Sequence, residues 1–153
     1  MGSPLIVLTA DETMMSQYRG GIGTGFAGCM PQGYAPDSVM MALLFPAVPR
    51  MNGRAVLSDY GLRMIEASLL EDGFKRKEVA VVYPKDLQKA VGPETRICGI
   101  SGHDLLGLNP PTSTFVDLTR KGPPLNRVKF LELMRSKALE DVTKVIGGRA
   151  LGR

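Results

Sequence analysis

Leu5-Ile6-Val7-Leu8-Thr9 is an unbroken apolar run that stops at Ala10-Asp11, and its reading decides the fold. A strand with one wet face alternates apolar and polar residues, whereas a continuous run needs cover on both faces, as in a parallel sheet. Similar runs recur at Val79-Ala80-Val81-Val82-Tyr83, Arg96-Ile97-Cys98-Gly99-Ile100 and Lys144-Val145-Ile146. Helical patterns fall between them. Ser58 is placed to cap a helix whose apolar positions Leu62, Ile65, Leu69 and Leu70 repeat at three-and-four spacing, with Gly73 as its stop. A short helix is expected over 84–91, closed by Gly92-Pro93, and a longer one over 125–139 with Val128, Leu131, Leu133 and Met134 on its apolar side. Strands alternating with helices predict an α/β domain, doubly wound (flavodoxin-like or Rossmann-like) around a mostly parallel sheet.

At 153 residues the chain fits one domain. Residues 10–55 break the alternation: they hold glycines, prolines and methionines, with a short helix expected over 37–45 and Pro46, Pro49 and Gly53 breaking the stretch after it. So long an insertion in a compact domain is often functional. Met14, Met15, Met40 and Met41 within it fit gap-filling in a core better than a ligand face.

The net charge of +4 comes from scattered basic residues, with Lys75-Arg76-Lys77 the one tight cluster and no tryptophan in the chain, a pattern that argues against nucleic acid. No apolar run approaches the roughly 20 residues that cross a bilayer. Cys29 and Cys98 belong to no C-x-x-C pair and suit a reducing cytoplasm. Gly23-Thr24-Gly25-Phe26-Ala27-Gly28 matches the spacing of a dinucleotide cradle, but the first strand stops well before Gly23 and no helical pattern follows Gly28, so the context for NAD is missing. These glycines are expected instead to allow close backbone packing. No nucleophile elbow accompanies the single histidine, His103, which leaves a hydrolase triad without support.

Ligands of open parallel sheets bind beyond the carboxyl ends of the strands. There the chain places Ala10-Asp11-Glu12-Thr13 after the first strand, Ser101-Gly102-His103-Asp104-Leu105-Leu106-Gly107 and the run to Phe115 after the third, and Gly147-Gly148 after the fourth. These small and hydroxyl-bearing residues form a rim that can bring backbone and Ser/Thr donors close to a large ligand.

Gly61-Leu62-Arg63, Leu69-Leu70-Glu71-Asp72-Gly73-Phe74, Gly99-Ile100-Ser101, Asp104-Leu105-Leu106-Gly107 running into Pro111-Thr112-Ser113-Thr114-Phe115, and Val145-Ile146-Gly147-Gly148 occur in an order that resembles the N-terminal cobalamin-binding domain of cobalamin-dependent radical SAM proteins. The resemblance implies cobalamin as cofactor. It makes Ser101, Gly102, His103, Asp104, Leu105, Gly107, Thr112, Ser113 and Thr114 the segment beside the corrin and its lower-face tail, and Gly147 and Gly148 the glycines past which that tail runs. Thr9, Ala10, Asp11 and Glu12 occupy the place where many cobalamin proteins carry D-x-H-x-x-G; that motif is missing, which implies cobalt without a histidine ligand from this chain.

Two cysteines cannot form the C-x-x-x-C-x-x-C motif of a radical SAM domain, so the iron–sulfur cluster and S-adenosylmethionine are expected only in a separate domain, acting in cis or trans as a methyltransferase-like partner. The family also carries a fifth strand and closing helix after the paired glycines, and the chain is expected to be an N-terminal piece of a longer enzyme or a short relative with a sheet edge open to homodimerisation. The competing expectation is a flavodoxin-like protein-interaction domain that no longer binds cofactor.

Overall fold

A computed structural model describes residues 2–17, 27–104 and 110–148. Four parallel strands form its main sheet: β1 (Ile6–Ala10), β4 (Val79–Val81), β5 (Ile97–Gly102) and β6 (Thr143–Gly148), in the order β4-β1-β5-β6. The strand after β1 in the sheet's winding pairs on one side of it and the next on the other, so the direction reverses at β1. This is the doubly wound α/β architecture expected from the apolar runs.

The chain that joins β1 to β4 carries α1 (Asp37–Leu44), a hairpin of β2 (Arg50–Met51) and β3 (Arg54–Ala55), and α2 (Tyr60–Glu71). A 3-10 turn (Pro84–Asp86) and α3 (Leu87–Ala90) join β4 to β5; α4 (Pro110–Thr119), α5 (Leu125–Met134) and a second 3-10 turn (Lys137–Leu139) lie between β5 and β6. Ile6, Leu8, Ala10, Val79 and Val81 pack with Leu62 and Leu69 of α2, while Val7, Ala80, Cys98 and Ile100 pack with Leu87, Phe130 and Leu133 on the other face. Right-handed crossovers explain the division. The β1-to-β4 connection runs in one direction and puts its helix on one face; the other two connections run in the opposite direction and put theirs on the other. Among the described residues nothing covers the α2 face of β5 and β6, and Val145 stands 54% exposed there.

Local chemistry accounts for the ends of α2. Asp59, rather than Ser58, is the N-cap, its carboxylate accepting from the Leu62 amide at 3.3 Å. At the other end Gly73 takes φ +101° while its amide donates to the Leu70 carbonyl and the Phe74 amide to the Leu69 carbonyl, a Schellman closure. The hairpin turns at Asn52-Gly53, both with positive φ, the pairing a two-residue hairpin favours. Arg54 then braces it against the edge of β4, donating to the Val79 carbonyl at 2.7 Å and the Arg76 carbonyl at 2.6 Å.

Three expectations need correction. Ile65 is 49% exposed, and the α2 position that turns inward is Glu66, 7% exposed. Glu66 is held by Arg63 at 2.5 Å, which also donates to the Ala55 and Val56 carbonyls, and by Arg76 at 3.8 Å. The hairpin thus supplies partners for a charged stripe that periodicity alone would turn outward. The helix over 125–139 is interrupted: α5 ends at Met134 and Leu139 enters the core from the 3-10 turn, while Phe130 is buried along with Leu133. Finally, Gly28 sits in a helical turn at 27–29, and a Cβ there would meet nothing closer than 3.8 Å, so close packing is not its reason to be glycine. Gly23 to Phe26 of the same motif lie outside the described residues. Met15, Met40 and Met41 are buried in the core.

Candidate functional site at the carboxyl edge of the sheet

Parallel register brings the strand tips together. Ala10 pairs with Ser101, Ser101 with Gly147 and Gly102 with Gly148, so the ends of β1, β5 and β6 form one rim of alanine, serine and glycine. Leu105 and Gly107 lie outside the described residues.

Around this rim the anticipated residues divide by what their polar atoms do. The buried Thr9 hydroxyl donates to the Val82 carbonyl at 2.8 Å and ties β1 to the residue after β4. Asp11 is buried and accepts from both the amide and hydroxyl of Thr13, at 2.8 and 2.6 Å. Burial lifts its carboxyl above the ordinary range, and the Thr13 hydrogen bonds only partly counter that. Glu12 accepts from the Tyr83 hydroxyl at 3.2 Å and pairs with Lys85 at 2.7 Å. Burial and the neighbouring Glu12 raise the Tyr83 pKa, and Arg50 lies over its ring while reaching Asp86 at 3.3 Å. Asp11 therefore fixes the turn after β1, while Glu12 and Arg50 join the 10–55 segment to the chain that leaves β4.

On the β5 side His103 is exposed, while Asp104 is buried and accepts from the hydroxyl of the fully buried Thr112. Cys29 joins this group through Thr112 and Asp104, and burial raises its thiol pKa. Thr112, Ser113 and Thr114 belong to the first turns of α4; the Ser113 hydroxyl donates to the Pro110 carbonyl, and Thr114 is exposed. Among the described residues no three His, Cys, Asp or Glu side chains are grouped to hold a metal ion, and no helix is long and apolar enough to cross a membrane.

The two paired glycines have different surroundings. Gly148 takes φ +150°, and a Cβ on it would overlap the Gly102 carbonyl, so the pairing of β6 with β5 requires glycine there. Gly147 has no atom within 4 Å of where a Cβ would stand. On the same sheet face Gly99 lies under the tip of Leu8, beside exposed Val145. Ser101, Val145 and Gly147 thus floor an open slot that begins at the rim and stops where Leu8 covers Gly99, while the i, i+3, i+4 geometry of α2 sets Gly61 and Ile65 on the helix flank opposite Arg63 and the hairpin.

Asp59 was not among the residues anticipated for the site. It stands 42 positions before Ser101 in sequence, yet its carboxylate lies beside the Ser101 hydroxyl at the mouth of this slot. Burial raises its pKa, with the α2 amides and Ser101 acting in the opposite sense. The cap expected from the sequence was Ser58, and nothing local linked its neighbour Asp59 to β5. Comparison of the chain with protein-family models, with characterised proteins and with solved structures found no match.

Proposed function

We propose that this domain binds a corrinoid cofactor of the cobalamin type, with the ring over the carboxyl rim and the lower-face tail along the slot on β5 and β6. The observation that carries the reading is the open space above Gly147, next to Ser101, on the part of the α2 face that no described residue covers. Flat or extended ligands need such a cradle because a Cβ in the floor would take the place of ligand atoms. The family resemblance of Gly99-Ile100-Ser101 and Val145-Ile146-Gly147-Gly148 points to the same strands.

The residues present fit the group in a specific way. Ser101 offers a hydroxyl at the rim, Gly147 leaves the floor unobstructed, and Gly148 keeps β6 close enough to β5 for the floor to be continuous. Thr9, Asp11 and Glu12 have their polar atoms engaged by the protein and act by fixing the β1 tip. The corrinoid, when bound, supplies a cobalt centre able to carry a one-carbon group. The protein's part is to orient the ring and leave its outer face to a radical SAM domain, in cis or in trans, which brings the iron–sulfur cluster and S-adenosylmethionine. Cys29 and Cys98, which form no disulfide, suit a reducing cytoplasm for such an assembly.

The test is retention of hydroxocobalamin. The purified chain is mixed with it, free ligand is removed by gel filtration, and the protein peak is read in the visible. Corrin absorption moving with the protein supports the reading; a colourless peak from folded protein overturns it. That outcome would favour the second reading, a flavodoxin-like interaction domain, for which β6 is the specific observation: it ends the sheet with no further strand among the described residues, and Val145 is exposed on it. Its homodimer would then form through β6 and would show in light scattering.

A further inference from the structure

The two edges of the main sheet are finished differently. At the β4 edge Arg54 donates to the Val79 carbonyl at 2.7 Å and the β2–β3 hairpin stands alongside. β6 is the other edge, with no strand beyond it among the described residues. The Thr143 amide donates to the Arg96 carbonyl at 3.1 Å, and successive residues of a parallel strand direct their backbone groups to opposite sides. Thr143, Val145 and Gly147 therefore bond to β5, while the N–H and C=O of Lys144 and Ile146 face outward. No described residue hydrogen-bonds to those outward groups. Such a row is a template for another strand, and proteins ordinarily cover it, as this one does at β4.

β6 is complementary to a reversed copy of itself. Turned about a two-fold axis through Val145, a second β6 sets Lys144 opposite the partner's Ile146, and these are the residues whose amides and carbonyls are free to exchange bonds. Val145, 54% exposed, then meets the partner's Val145 at the close, non-hydrogen-bonded position on the uncovered face. The same count sets Asp141 opposite the partner's Arg149. Glu140 and Asp141 are exposed and in no ion pair among the described residues, so the acidic approach to each β6 runs beside the basic residue that follows the other. Centring on Lys144 would oppose two like charges, and centring on Ile146 would oppose Val145 to the partner's Gly147 and Asp141 to the partner's Leu151.

We propose that the chain forms a two-fold dimer by antiparallel pairing of β6 with β6 of a second copy, centred on Val145, so that one continuous sheet crosses both copies. This gives the homodimer of the interaction-domain reading its register, and it rests on that reading.

The test uses three variants, each checked for folding by far-UV circular dichroism. Lys144→Pro removes an outward amide only, the one place where an edge strand accepts proline, and Val145→Lys and Val145→Glu alter an exposed side chain. Sedimentation velocity is run on each protein from micromolar to millimolar concentration. Wild type is expected to dimerise as it is concentrated, and each variant to raise the dimer Kd about ten- to hundredfold, through two lost hydrogen bonds or two opposed like charges. An equimolar mixture of Val145→Lys and Val145→Glu should dimerise again, because the two-fold axis then sets lysine opposite glutamate.

Wild type that stays monomeric throughout would overturn the pairing and the homodimer of the interaction-domain reading together. A dimer that none of the three variants weakens would overturn the pairing and leave that reading with a different contact surface. Variants that weaken the dimer without recovery in the mixture would overturn the centring on Val145.

Discussion

Alanine placed at each of the two neighbouring glycines of β6 should have opposite effects on stability. At Gly147 the backbone has no positive φ and a methyl group meets no atom within 4 Å, so neither strain nor overlap opposes the change. Glycine in a strand is less stable than alanine by about 0.5–1 kcal/mol through the entropy of the unfolded chain, so Gly147→Ala should stabilise by up to that amount. For a chain of this size that is a rise of roughly 1–4 °C in melting temperature. At Gly148 the φ of +150° disfavours any side chain, and the methyl would overlap the Gly102 carbonyl. Strain and overpacking together should cost about 2–3 kcal/mol, partly relieved because the contact is at the strand's end, and lower the melting temperature by roughly 4–12 °C. The same methyl at Gly147 stands in the slot, so the more stable variant should bind hydroxocobalamin about tenfold less tightly. Calorimetry with a corrinoid titration reads both quantities. A Gly148→Ala protein that melts with the wild type, or a Gly147→Ala protein that loses more than about 1 kcal/mol, would show that these glycines do not have the surroundings described.

Two further outcomes concern buried carboxylates. Glu66→Ala leaves Arg63 with only its two carbonyl partners beside the sheet, and after allowance for its partial exposure the loss should be about 1–2 kcal/mol in a urea titration; an unchanged midpoint would mean the pair contributes nothing. Asp11 has its pKa raised by burial, so the folded protein holds this proton more tightly than the unfolded chain. Its contribution therefore falls as pH rises from the ordinary carboxylate range through the raised value, and stays low above it. Asp11→Asn, which keeps an acceptor for Thr13, should be at least as stable as wild type at neutral pH, with the difference shrinking towards about pH 4. Parallel stability curves for the two proteins across that range would refute the reasoning.

Much of the fold was legible because the signals are short-ranged. A continuous apolar run such as 5–9 asks for cover on both faces, and four apolar runs with helices between lead to a parallel sheet, although only β1 and β4 are covered on both faces by described residues. Gly73 stopped α2 where a Schellman closure would put it. The rim was legible too, since strand ends and loop composition locate it without coordinates. The failure on α2 has a tertiary cause. Ile65 and Glu66 are adjacent there, and which of them faces inward depended on Arg63 and Arg76 and on the hairpin that supplies carbonyls to Arg63, none of which enters a periodicity count.

The sequence by itself determined the strands, their parallel sense and the small-residue composition of their tips, because those follow from local pattern and from the covalent shortness of the connections. Tertiary structure alone decided that Asp59 meets Ser101, that Asp104 meets Thr112 and Cys29, and that no described residue covers one face of β5 and β6. Those results depend on the direction in which each crossover winds and on side chains up to 83 positions apart, so no window of the chain contains them.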